Sequence, residues 1–397
     1  MTKKRIWIVT HFSSDFDSNG NNRFNYFAKS LAENGYEVEF FTSDFSHVKK
    51  KPRSADGAEG SYDIHLIHEP GYPKNVCFER IYSHKVFGKN LKKELEKRKK
   101  PDAVYLAIPS LDAGAVTVDY CKKNNIPCVI DIQDLWPEAF QIALRKFHIP
   151  GSVLYSMNKK ADYIYKNCDK VVAVSDTYLE RAYKVRKDRD GKCVFIGTDL
   201  SVFDSYEKIT SEKDGKVWIA YIGTLGNSYN IDIVIDAVRI LLERGIDEFS
   251  FRVFGDGPAI DSFKEHAKGL PVEFYGRLAY KDMVGHLKNC DIAVNPIVKG
   301  AAQSIINKHA DYAAAGLPVV NTQECEEYRN LMTDYACGIN CDVESVQQVA
   351  DALLMLISDA DKRKLMGQNS RRMAEERFDR KNTYKYLMNA IKECLGE

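Results

Sequence analysis

Short apolar runs and amphipathic segments alternate along nearly the whole chain, and they do so in two separate series. In the first series, a strand pattern at residues 5–10 is followed by a helix pattern at residues 23–34. A new strand pattern at residues 216–222 opens the second series, after a polar stretch at residues 203–215. Alternation of this kind produces a parallel sheet covered by helices on both faces. We therefore predict an α/β fold made of two Rossmann-like domains with parallel sheets.

The length of 397 residues also favours two domains over one. The predicted bounds are residues 1–203 for the first domain, residues 204–375 for the second, and residues 376–397 for a C-terminal helix that can pack back on the first domain. Open α/β sheets bind ligands beyond the carboxyl ends of their strands. We therefore expect the two sheets to face an interdomain cleft that contains the active site.

The ten cysteines indicate a reducing compartment, because none of them forms a Cys-x-x-Cys pair and several fall in apolar strand patterns. The first five residues lead directly into a strand pattern, so we expect no signal peptide. No apolar run approaches the ~20 residues that are needed to cross a bilayer. These observations predict a cytoplasmic protein that does not span a membrane.

Positive charge is concentrated in the first half of the chain. Residues 1–200 contain 33 Lys and Arg against 26 Asp and Glu, whereas the remaining residues contain 24 against 30. Much of the excess comes from residues 49–51 and 92–100. A basic half suits peripheral contact with the anionic inner face of a cell membrane, or with a lipid-diphosphate acceptor. The alternative is a solvated helix face, since residues 91–100 contain few apolar side chains.

The stretch from residue 300 to residue 320 has the features of a pyrophosphate site. A loop of small residues precedes a helix that we predict to begin at Ser304, and Ala-Gly-Leu-Pro leads from this helix into a strand. Exposed backbone amides at a helix N-terminus attract anions. Asp311 lies eight residues beyond Gln303. It is therefore expected on much the same side of the helix, where it could accept hydrogen bonds from a ribose diol.

A glycine-containing loop follows the strand that opens the second series. Gly223 and Thr224 begin this loop, and its small residues let the backbone lie against phosphates or a donor sugar. The loop contains no Arg or Lys, so a cation for the diphosphate must come from elsewhere. Lys308, Lys299 and Arg277 are the candidates, and we predict a catalytic role for Lys308 because charge develops on the leaving diphosphate. The alternative for Lys308 is a solvated helix lysine.

Two carboxylates stand at the end of a buried strand pattern at residues 128–132. Side chains alternate along a strand, so Asp131 and Gln133 share a face, while Asp134 falls at the strand's exit, where catalytic groups collect. We predict that Asp134 or Asp131 orients the acceptor hydroxyl. The alternative is that the aspartate before Leu-Trp-Pro only caps a turn.

Two loops of the first domain contain candidate ligand-binding residues. Asn22 and Arg23 end the loop after the first strand, and Arg23 is a candidate anion contact. Lys74 and Asn75 lie in a loop that is punctuated by proline and glycine. For both loops the alternative is an exposed surface segment without a ligand.

The stretch around residues 300–320 resembles the signature of the retaining nucleotide-sugar glycosyltransferases of family 4, which have the GT-B fold. In that family two Glu residues occupy the positions that here are Gln303 and Asp311. The resemblance implies that Asp311 binds ribose hydroxyls and that Gln303 touches the donor sugar without a charge. Residues 134–138, Asp-Leu-Trp-Pro-Glu, and residues 68–76 are similar to segments of the bacterial polysaccharide-assembling members. The resemblance implies acceptor binding by two loops of the first domain, with Asn22 and Arg23 in one and Lys74 and Asn75 in the other.

Further similar segments follow one another in the family's order along nearly the whole chain. One of them ends in Arg277 and Leu278, and the resemblance places these two residues beside the nucleobase. It also implies a UDP-linked donor, with a hexose or an N-acetylhexosamine as the sugar. The implied acceptor is a hydroxyl of a saccharide or of a polyprenyl-diphosphate-linked saccharide, in surface polysaccharide biosynthesis.

The resemblance implies retaining transfer by front-face attack, which needs no enzyme nucleophile. No Asp-x-Asp motif stands in a suitable loop, so we expect neither a metal nor another cofactor, and we expect no nucleic-acid partner. One alternative is a nucleotide-sugar 2-epimerase acting on UDP-N-acetylhexosamine, which also consists of two Rossmann-like halves. The other is a non-catalytic partner that binds sugar nucleotides, and Gln303 and Asp311 at the two acidic positions are the reason to consider it.

Overall fold

The computed structural model describes residues 3–14, 16, 22–55, 60–75, 77–140, 151–209, 215–226, 228–301 and 304–397, without the side chains of residues 140, 151 and 153. The chain forms two compact units. The N-terminal unit comprises Met1–Phe195 together with Tyr384–Glu397, and the C-terminal unit comprises Ile196–Thr383.

The N-terminal unit is built on a parallel sheet of seven strands, in the order β5-β2-β1-β6-β7-β8-β9. A short antiparallel pair, β3 with β4, lies outside it. The strands are β1 (Arg5–Val9), β2 (Glu37–Ser43), β3 (Phe45–Ser46), β4 (Lys51–Pro52), β5 (Asp63–Ile67), β6 (Ala103–Ile108), β7 (Cys128–Ile132), β8 (Lys170–Ala173) and β9 (Lys192–Cys193). The chain runs outward in both directions from β1, so the loops after β1 and β6 meet at the switch point of this sheet.

Helices connect these strands, as the alternating pattern predicts. They are α1 (Arg23–Glu33), α2 (Phe78–Lys97), α3 (Leu111–Asn124), α4 (Gly151–Lys166) and α5 (Asp176–Tyr183). Helix α1 begins where Asn22 Oδ1 accepts hydrogen bonds from the backbone N–H groups of Phe24 and Asn25. Its apolar side chains recur at helical spacing and are buried against the sheet.

The C-terminal unit contains a parallel sheet of six strands, in the order β12-β11-β10-β13-β14-β15. The strands are β10 (Val217–Ile222), β11 (Phe249–Phe254), β12 (Val272–Gly276), β13 (Ile292–Asn295), β14 (Val319–Asn321) and β15 (Gly338–Asn340). Strand β10 is central, and the strand order reverses between the parallel neighbours β10 and β13. The crevice beyond the carboxyl ends of these two strands is therefore the expected ligand position in this unit.

The helices of the C-terminal unit lie between and after these strands. They are α6 (Leu200–Ser205), α7 (Ile231–Glu243), α8 (Ile260–His266), α9 (Tyr280–Leu287), α10 (Asn307–Ala314), α11 (Glu326–Tyr335), α12 (Val346–Ser358), α13 (Ala360–Met373) and α14 (Arg380–Thr383), with a π-helical turn at Ala374–Phe378. The two Rossmann-like halves with parallel sheets confirm the predicted α/β fold class.

The final helix, α15 (Lys385–Leu395), belongs to the N-terminal unit. Its buried side chains join Tyr384 in the core of that unit, and they are Leu387, Met388, Ala390 and Ile391. The compact units divide at residues 195/196 and 383/384, whereas the predicted bounds were 203/204 and 375/376. Residues 196–206 go with the C-terminal unit because Lys288 Nζ donates to the carbonyls of Asp204 and Tyr206, at 3.1 and 2.6 Å.

Membrane-spanning helices were searched for in the part of the chain that the structure describes. No helix there combines the length and the apolar character that crossing a bilayer requires.

Candidate active site

In the C-terminal unit, the loop after β10 is held against the turn after β11. Gly223 N donates to Phe254 O and Leu225 N donates to Asp256 O, both at 3.0 Å. A Cβ atom on Gly255 would stand 1.8 Å from Gly223 O, so only glycine fits at that position. The close approach fixes the backbone of the loop while Gly223 and the neighbouring Thr224 stay exposed at the carboxyl end of the central strand.

Helix α10 begins at Asn307, three residues later than the predicted start at Ser304. The physical reason is a cap that the sequence pattern does not reveal: His309 Nδ1 accepts a hydrogen bond from Ile306 N at 3.1 Å. Ile306 is extended, and the Ser304 carbonyl accepts from Gln323 Nε2 at 2.9 Å instead of joining the helix. Asp311 therefore lies about one turn into the helix and not two.

A layer of buried polar side chains packs against the first turn of α10. His309 is fully buried, its ring stacks on Tyr328 with centres 3.7 Å apart, and its Nε2 lies 3.1 Å from Asn295 Nδ2. Asn295 Nδ2 also donates to Asn321 Oδ1 and to Gln323 Oε1. Burial lowers the pKa of His309 well below its ordinary value, so the ring is neutral. The layer fixes the first turn of α10 relative to β13 and β14.

Lys308 places an ammonium group in a dry position beside the loop after β10. Its Nζ lies 4.2 Å from the ring centre of Tyr221 and 4.0 Å from that of Tyr229. The same atom is 3.3 Å from the point where a Cβ of Gly223 would stand. Among the described residues Lys308 Nζ has no hydrogen-bond partner, and burial lowers its pKa well below the ordinary value. An unpaired buried cation of this kind is suited to an anion that arrives with a ligand.

Asp311 lies on the same helix, close to one turn beyond Lys308. Tyr280 OH donates to Asp311 Oδ1 at 2.7 Å, and Thr198 Oγ1 lies 3.2 Å from the same hydroxyl. Within the described part of the chain, no hydrogen bond reaches Asp311 Oδ2. Burial raises the pKa of Asp311 to about 6. The carboxyl group is therefore oriented by Tyr280 and retains one oxygen that could accept hydrogen bonds from a ligand.

The other predicted donor residues lie at the same edge of the sheet or outside the described residues. Arg277 is exposed and Leu278 half-buried directly after β12. Ser304 Oγ is buried and has no partner among the described residues. Gln303 lies outside the described residues. Lys299, a rival of Lys308 as the diphosphate cation, forms an ion pair with the Glu344 carboxylate at 2.7 Å.

In the N-terminal unit, Asp131 is fully buried on β7 and is bound by Arg23. Arg23 Nε and Nη2 donate to its two oxygens at 2.9 and 3.1 Å, and Tyr105 OH donates at 2.5 Å. Arg23 Nη1 also donates to the carbonyls of residues 194 and 195. This geometry corrects the predictions for Asp131 and Arg23. The carboxylate and the guanidinium are both buried and bound to each other, so neither is available to an acceptor. Asn22 is likewise used as the cap of α1.

Replacing Arg23 with lysine tests this structural role. We expect Arg23→Lys to lower the free energy of unfolding by about 2 kcal/mol, because lysine keeps the charge but loses the two-pronged contact and the carbonyl bonds. Urea unfolding measures the change. The matched control is Arg189→Lys, whose exposed pair with Glu180 should contribute almost nothing. Equal stability of both variants would show that the buried contact of Arg23 is unimportant.

Asp134 lies beyond the end of β7 in a different environment from Asp131. Its Oδ2 accepts from Trp136 Nε1 at 3.1 Å, and burial raises its pKa above the ordinary value. The Arg80 guanidinium stacks 4.9 Å from the Trp136 ring centre, and its Nη1 donates to Asn75 O at 2.7 Å. The structure thus brings two predicted site residues near one arginine, because Asn75 accepts a hydrogen bond from Arg80 and Asp134 accepts one from the tryptophan on which Arg80 stacks.

Lys50 completes this group. Its Nζ donates to Asn75 Oδ1 at 2.5 Å and lies 4.6 Å from the ring centre of Tyr72. Tyr72 OH in turn lies 2.6 Å from His47 Nδ1. Lys74, the remaining predicted acceptor residue, is exposed next to Asn75. We refer to Lys50, Tyr72, Asn75 and Arg80 as the cation cluster.

A buried network beneath the loop at residues 68–73 holds the cation cluster in position. His11 Nε2 lies 2.9 Å from Glu69 Oε1, and the hydroxyls of Ser43 and Ser83 also donate to the Glu69 carboxylate. Burial alone would raise the pKa of Glu69, but these hydrogen bonds bring it down to about 2. Ser83 Oγ accepts from Gly71 N at 2.9 Å and so connects helix α2 to the loop.

Sequence reasoning missed three residues of these groups, which are Tyr280, Arg80 and Lys50. Tyr280 begins a helix directly after the segment that ends in Leu278, and a search for tyrosines near that segment would have found it. Arg80 and Lys50 stand in a helix pattern and in a basic run, and neither context has a local signal for a binding role.

Comparison with known proteins places these two sheets in one class of enzyme. The family model described as Glycosyltransferase Family 4 matches residues 21–196, and the model described as Glycosyl transferases group 1 matches residues 216–359. A curated relative, the uncharacterized glycosyltransferase MJ1069 of Methanocaldococcus jannaschii, is 21% identical over 229 residues. That match covers 56% of this chain and 58% of the relative, so the chain matches little more than half of the relative's length.

Solved structures show the same fold over the full length. Sucrose-phosphate synthase from Thermosynechococcus elongatus is 15% identical and superposes with a TM-score of 0.75. The superposition covers 99% of this chain and 100% of the synthase chain. HepE of Anabaena, solved in complex with UDP, is 14% identical, with a TM-score of 0.70 and coverage of 98% and 100%. Both likenesses concern the fold. Together with the two family models they identify the chain as a glycosyltransferase of the GT-B type.

Proposed function

We propose that the chain transfers a sugar from a UDP-sugar to a hydroxyl of a saccharide acceptor with retention of the anomeric configuration. The observation that carries this proposal is the arrangement on helix α10. Lys308 offers a cation and the first-turn amides offer N–H groups to a diphosphate, while Asp311 offers a carboxylate oxygen to a ribose diol. HepE of Anabaena has been solved in complex with UDP and with UDP-glucose, which supports UDP as the nucleotide.

The proposed chemistry is a front-face displacement. The bond between the sugar C1 and the β-phosphate oxygen breaks, and the acceptor oxygen forms its bond to C1 on the same face. The acceptor proton passes to the departing phosphate oxygen, so no enzyme nucleophile is needed. Lys308 and the amides of α10 stabilise the negative charge on the leaving UDP, and this stabilisation supplies most of the rate enhancement. Because these groups provide the positive charge, we expect turnover without a divalent metal.

On the acceptor side, Asp134 is the residue proposed to orient the attacking hydroxyl. It lies just beyond the carboxyl end of β7, is half-buried, and accepts a hydrogen bond from Trp136 Nε1. We propose a hexose or an N-acetylhexosamine as the transferred sugar, and surface polysaccharide assembly as the pathway. The support for both is the similarity of residues 134–138 to a segment of enzymes that assemble bacterial polysaccharides.

Helix α2 supports a peripheral contact with an anionic membrane. Phe78, Ile81 and Tyr82 are 84%, 48% and 62% exposed on one face at the start of this helix. Exposed Lys85 and Lys89 continue the same face toward the C-terminus. Apolar side chains followed by lysines are what a helix needs to rest on anionic headgroups, and we propose this face as the contact.

Thermal unfolding with nucleotides tests the proposed function. UDP is expected to raise the stability of the protein, by about 2.7 kcal/mol at a concentration one hundred times its Kd, because it binds only the folded state. GDP and ADP should have smaller effects at the same concentration. If none of the three nucleotides shifts the unfolding temperature, the proposal is wrong.

Product analysis separates transfer from the alternative reactions. Incubation with a UDP-sugar and an acceptor should form a glycosidic bond that has the same anomeric configuration as the donor sugar, and NMR measures this configuration. Incubation with the donor alone should leave the sugar unchanged. A 2-epimer in the donor-only sample would identify an epimerase, and UDP binding without any turnover would identify a non-catalytic partner.

A further inference from the structure

Glu324 lies just beyond the carboxyl end of β14, beside the segment that leads into helix α10. Its Oε2 accepts a hydrogen bond from Gly300 N at 2.7 Å. The preceding residue, Gln323, donates from Nε2 to the Ser304 carbonyl at 2.9 Å. Two consecutive residues after β14 therefore hold both ends of the segment 300–304, and the first turn of α10 follows this segment in the chain.

The loop after β13 connects this edge of the sheet to the position of Lys308. Thr322 Oγ1 accepts a hydrogen bond from Ile297 N at 3.0 Å. Ile297 in turn forms a β-bridge with Tyr229, whose ring centre lies 4.0 Å from Lys308 Nζ. The residues just before Glu324 thus belong to the same connected edge as the cation that we propose for the diphosphate.

One carboxylate oxygen of Glu324 is available to a ligand. Within the described part of the chain, Oε2 accepts from Gly300 N, and no hydrogen bond or ion pair reaches Oε1. The residue is exposed, so solvent and ligands can approach this oxygen. Because a carboxylate oxygen has two lone pairs, Oε1 can accept hydrogen bonds from two neighbouring hydroxyl groups of a sugar.

A second polar group of the same segment lacks a partner. Ser304 is 5% exposed, and its Oγ has no hydrogen-bond partner among the described residues. A buried hydroxyl without a hydrogen bond costs free energy, and a ligand that bonds to it would recover this cost. Sugar hydroxyls both donate and accept, so a sugar suits the Ser304 hydroxyl as well as the Glu324 carboxylate.

Negative charge predominates around Glu324. Lys299 Nζ forms an ion pair with the Glu344 carboxylate at 2.7 Å. This hydrogen bond with Glu344 raises the pKa of Lys299, and the charges of Glu324 and Asp342 add to the effect. One lysine is therefore surrounded by three carboxylates at this edge, so a ligand that brings a further negative charge here would be repelled.

We propose that Glu324 determines the specificity for the donor sugar: its carboxylate accepts hydrogen bonds from the hydroxyls of a neutral sugar and excludes a sugar that carries a carboxylate. This assignment rests on the proposed function and specifies the class of the donor. With the diphosphate at the first turn of α10, the sugar on the β-phosphate is expected beside the residues that precede this turn. A uronic acid in that position would bring its carboxylate close to that of Glu324.

Calorimetric titration of the full chain with UDP, UDP-glucose and UDP-glucuronic acid tests the proposal, because the two sugars differ only at C6. The wild type should bind UDP-glucose about tenfold more tightly than UDP-glucuronic acid, as one like-charge contact near a protein surface would cause. Glu324→Gln should reduce this ratio to about two and leave the affinity for UDP unchanged, because glutamine retains an oxygen for Gly300 N. Glu324→Asp retains the charge and should retain the preference for UDP-glucose. Added salt should lower the ratio in the wild type only.

Glu243→Gln is the matched control. Glu243 is an exposed glutamate of the same unit at the end of α7, which precedes β11 and so lies at the opposite edge of the sheet. Its replacement should leave the affinities for all three nucleotides unchanged. Thermal unfolding of each variant confirms that the protein is folded.

Three results would overturn the assignment. They are a wild type that binds UDP-glucuronic acid at least as tightly as UDP-glucose, an unchanged ratio in Glu324→Gln, and a loss in Glu324→Gln that is as large for UDP as for UDP-glucose. The last result would mean that Glu324 only holds the segment in place. Each of them leaves the UDP-sugar proposal standing, because that proposal fails only if UDP does not bind the wild type or no sugar is transferred.

Discussion

Asp311→Ala is expected to weaken UDP binding by about 10- to 100-fold, because hydrogen bonds to a charged group contribute roughly 1.5–3 kcal/mol. The carboxyl group is buried, oriented by Tyr280 at 2.7 Å, and has one oxygen left for the ribose diol. Calorimetric titration with UDP measures the loss. Turnover should fall by at least the same factor at low donor concentration, because the ribose contact is made both before and during the transfer.

A double-mutant cycle with 2′-deoxy-UDP tests whether the contact is with the ribose. The wild type should bind 2′-deoxy-UDP more weakly than UDP, and Asp311→Ala should bind the two nucleotides equally. Asp334→Ala is the matched control, because Asp334 is an exposed aspartate of the same unit on α11. If Asp311→Ala still distinguishes UDP from the deoxy nucleotide, the carboxylate does not bind the 2′-hydroxyl.

The raised pKa of Asp311 adds a pH dependence with a definite sign. The unliganded folded protein holds this proton up to about pH 6, whereas the unfolded chain releases it near pH 3.9. Its contribution to stability is therefore complete below about pH 4 and is lost as the pH rises to about 6. The groups that act on Asp311 are the Tyr280 hydroxyl and the Arg380 guanidinium.

Ligand binding should show the opposite trend, because the ionised carboxylate is the better hydrogen-bond acceptor. The affinity for UDP-glucose should rise between about pH 5 and pH 7 in the wild type and stay level in Asp311→Asn. UDP-glucose is the better probe for this measurement, because the terminal phosphate of UDP itself titrates at about pH 6. A rise of equal size in both proteins would assign the pH dependence to another group.

The sequence predicts the parts of this molecule that depend on neighbouring residues. The strand β10 follows from an uninterrupted apolar run, and the helix α1 follows from an apolar period of three to four residues. Lys308 and Asp311 were identified because loop, helix and strand follow one another within about twenty residues. The start of α10 was misplaced by three residues because the cap comes from His309, inside the helix, and not from a residue before it.

The parts that were mispredicted depend on residues far apart in the chain. Asp131 was a good catalytic candidate at the end of a strand, but its role is decided by Arg23, which is 108 residues away. Arg80 and Lys50, which are 30 residues apart in the chain, come together only because both contact Tyr72 and Asn75. The local sequence pattern does not predict such long-range contacts, because each of these residues on its own has the pattern of an ordinary surface cation.

Replacing Lys308 with methionine is expected to lower kcat by about 10²- to 10³-fold, which is the usual cost of removing one group that stabilises a developing oxyanion. Methionine fills the space between the Tyr221 and Tyr229 rings without the charge. The ammonium is buried and, among the described residues, unpaired. Its removal should therefore stabilise the unliganded enzyme while it disables the reaction.

Two measurements on Lys308→Met distinguish this outcome from simple misfolding. The unfolding temperature without ligand should rise or stay level, and the further increase on adding UDP should be smaller than in the wild type. Lys364→Met, at an exposed lysine on α13, is the matched control and should change neither quantity. A variant that loses stability without ligand yet retains wild-type kcat would mean that Lys308 supports the fold and leaves the diphosphate to other groups.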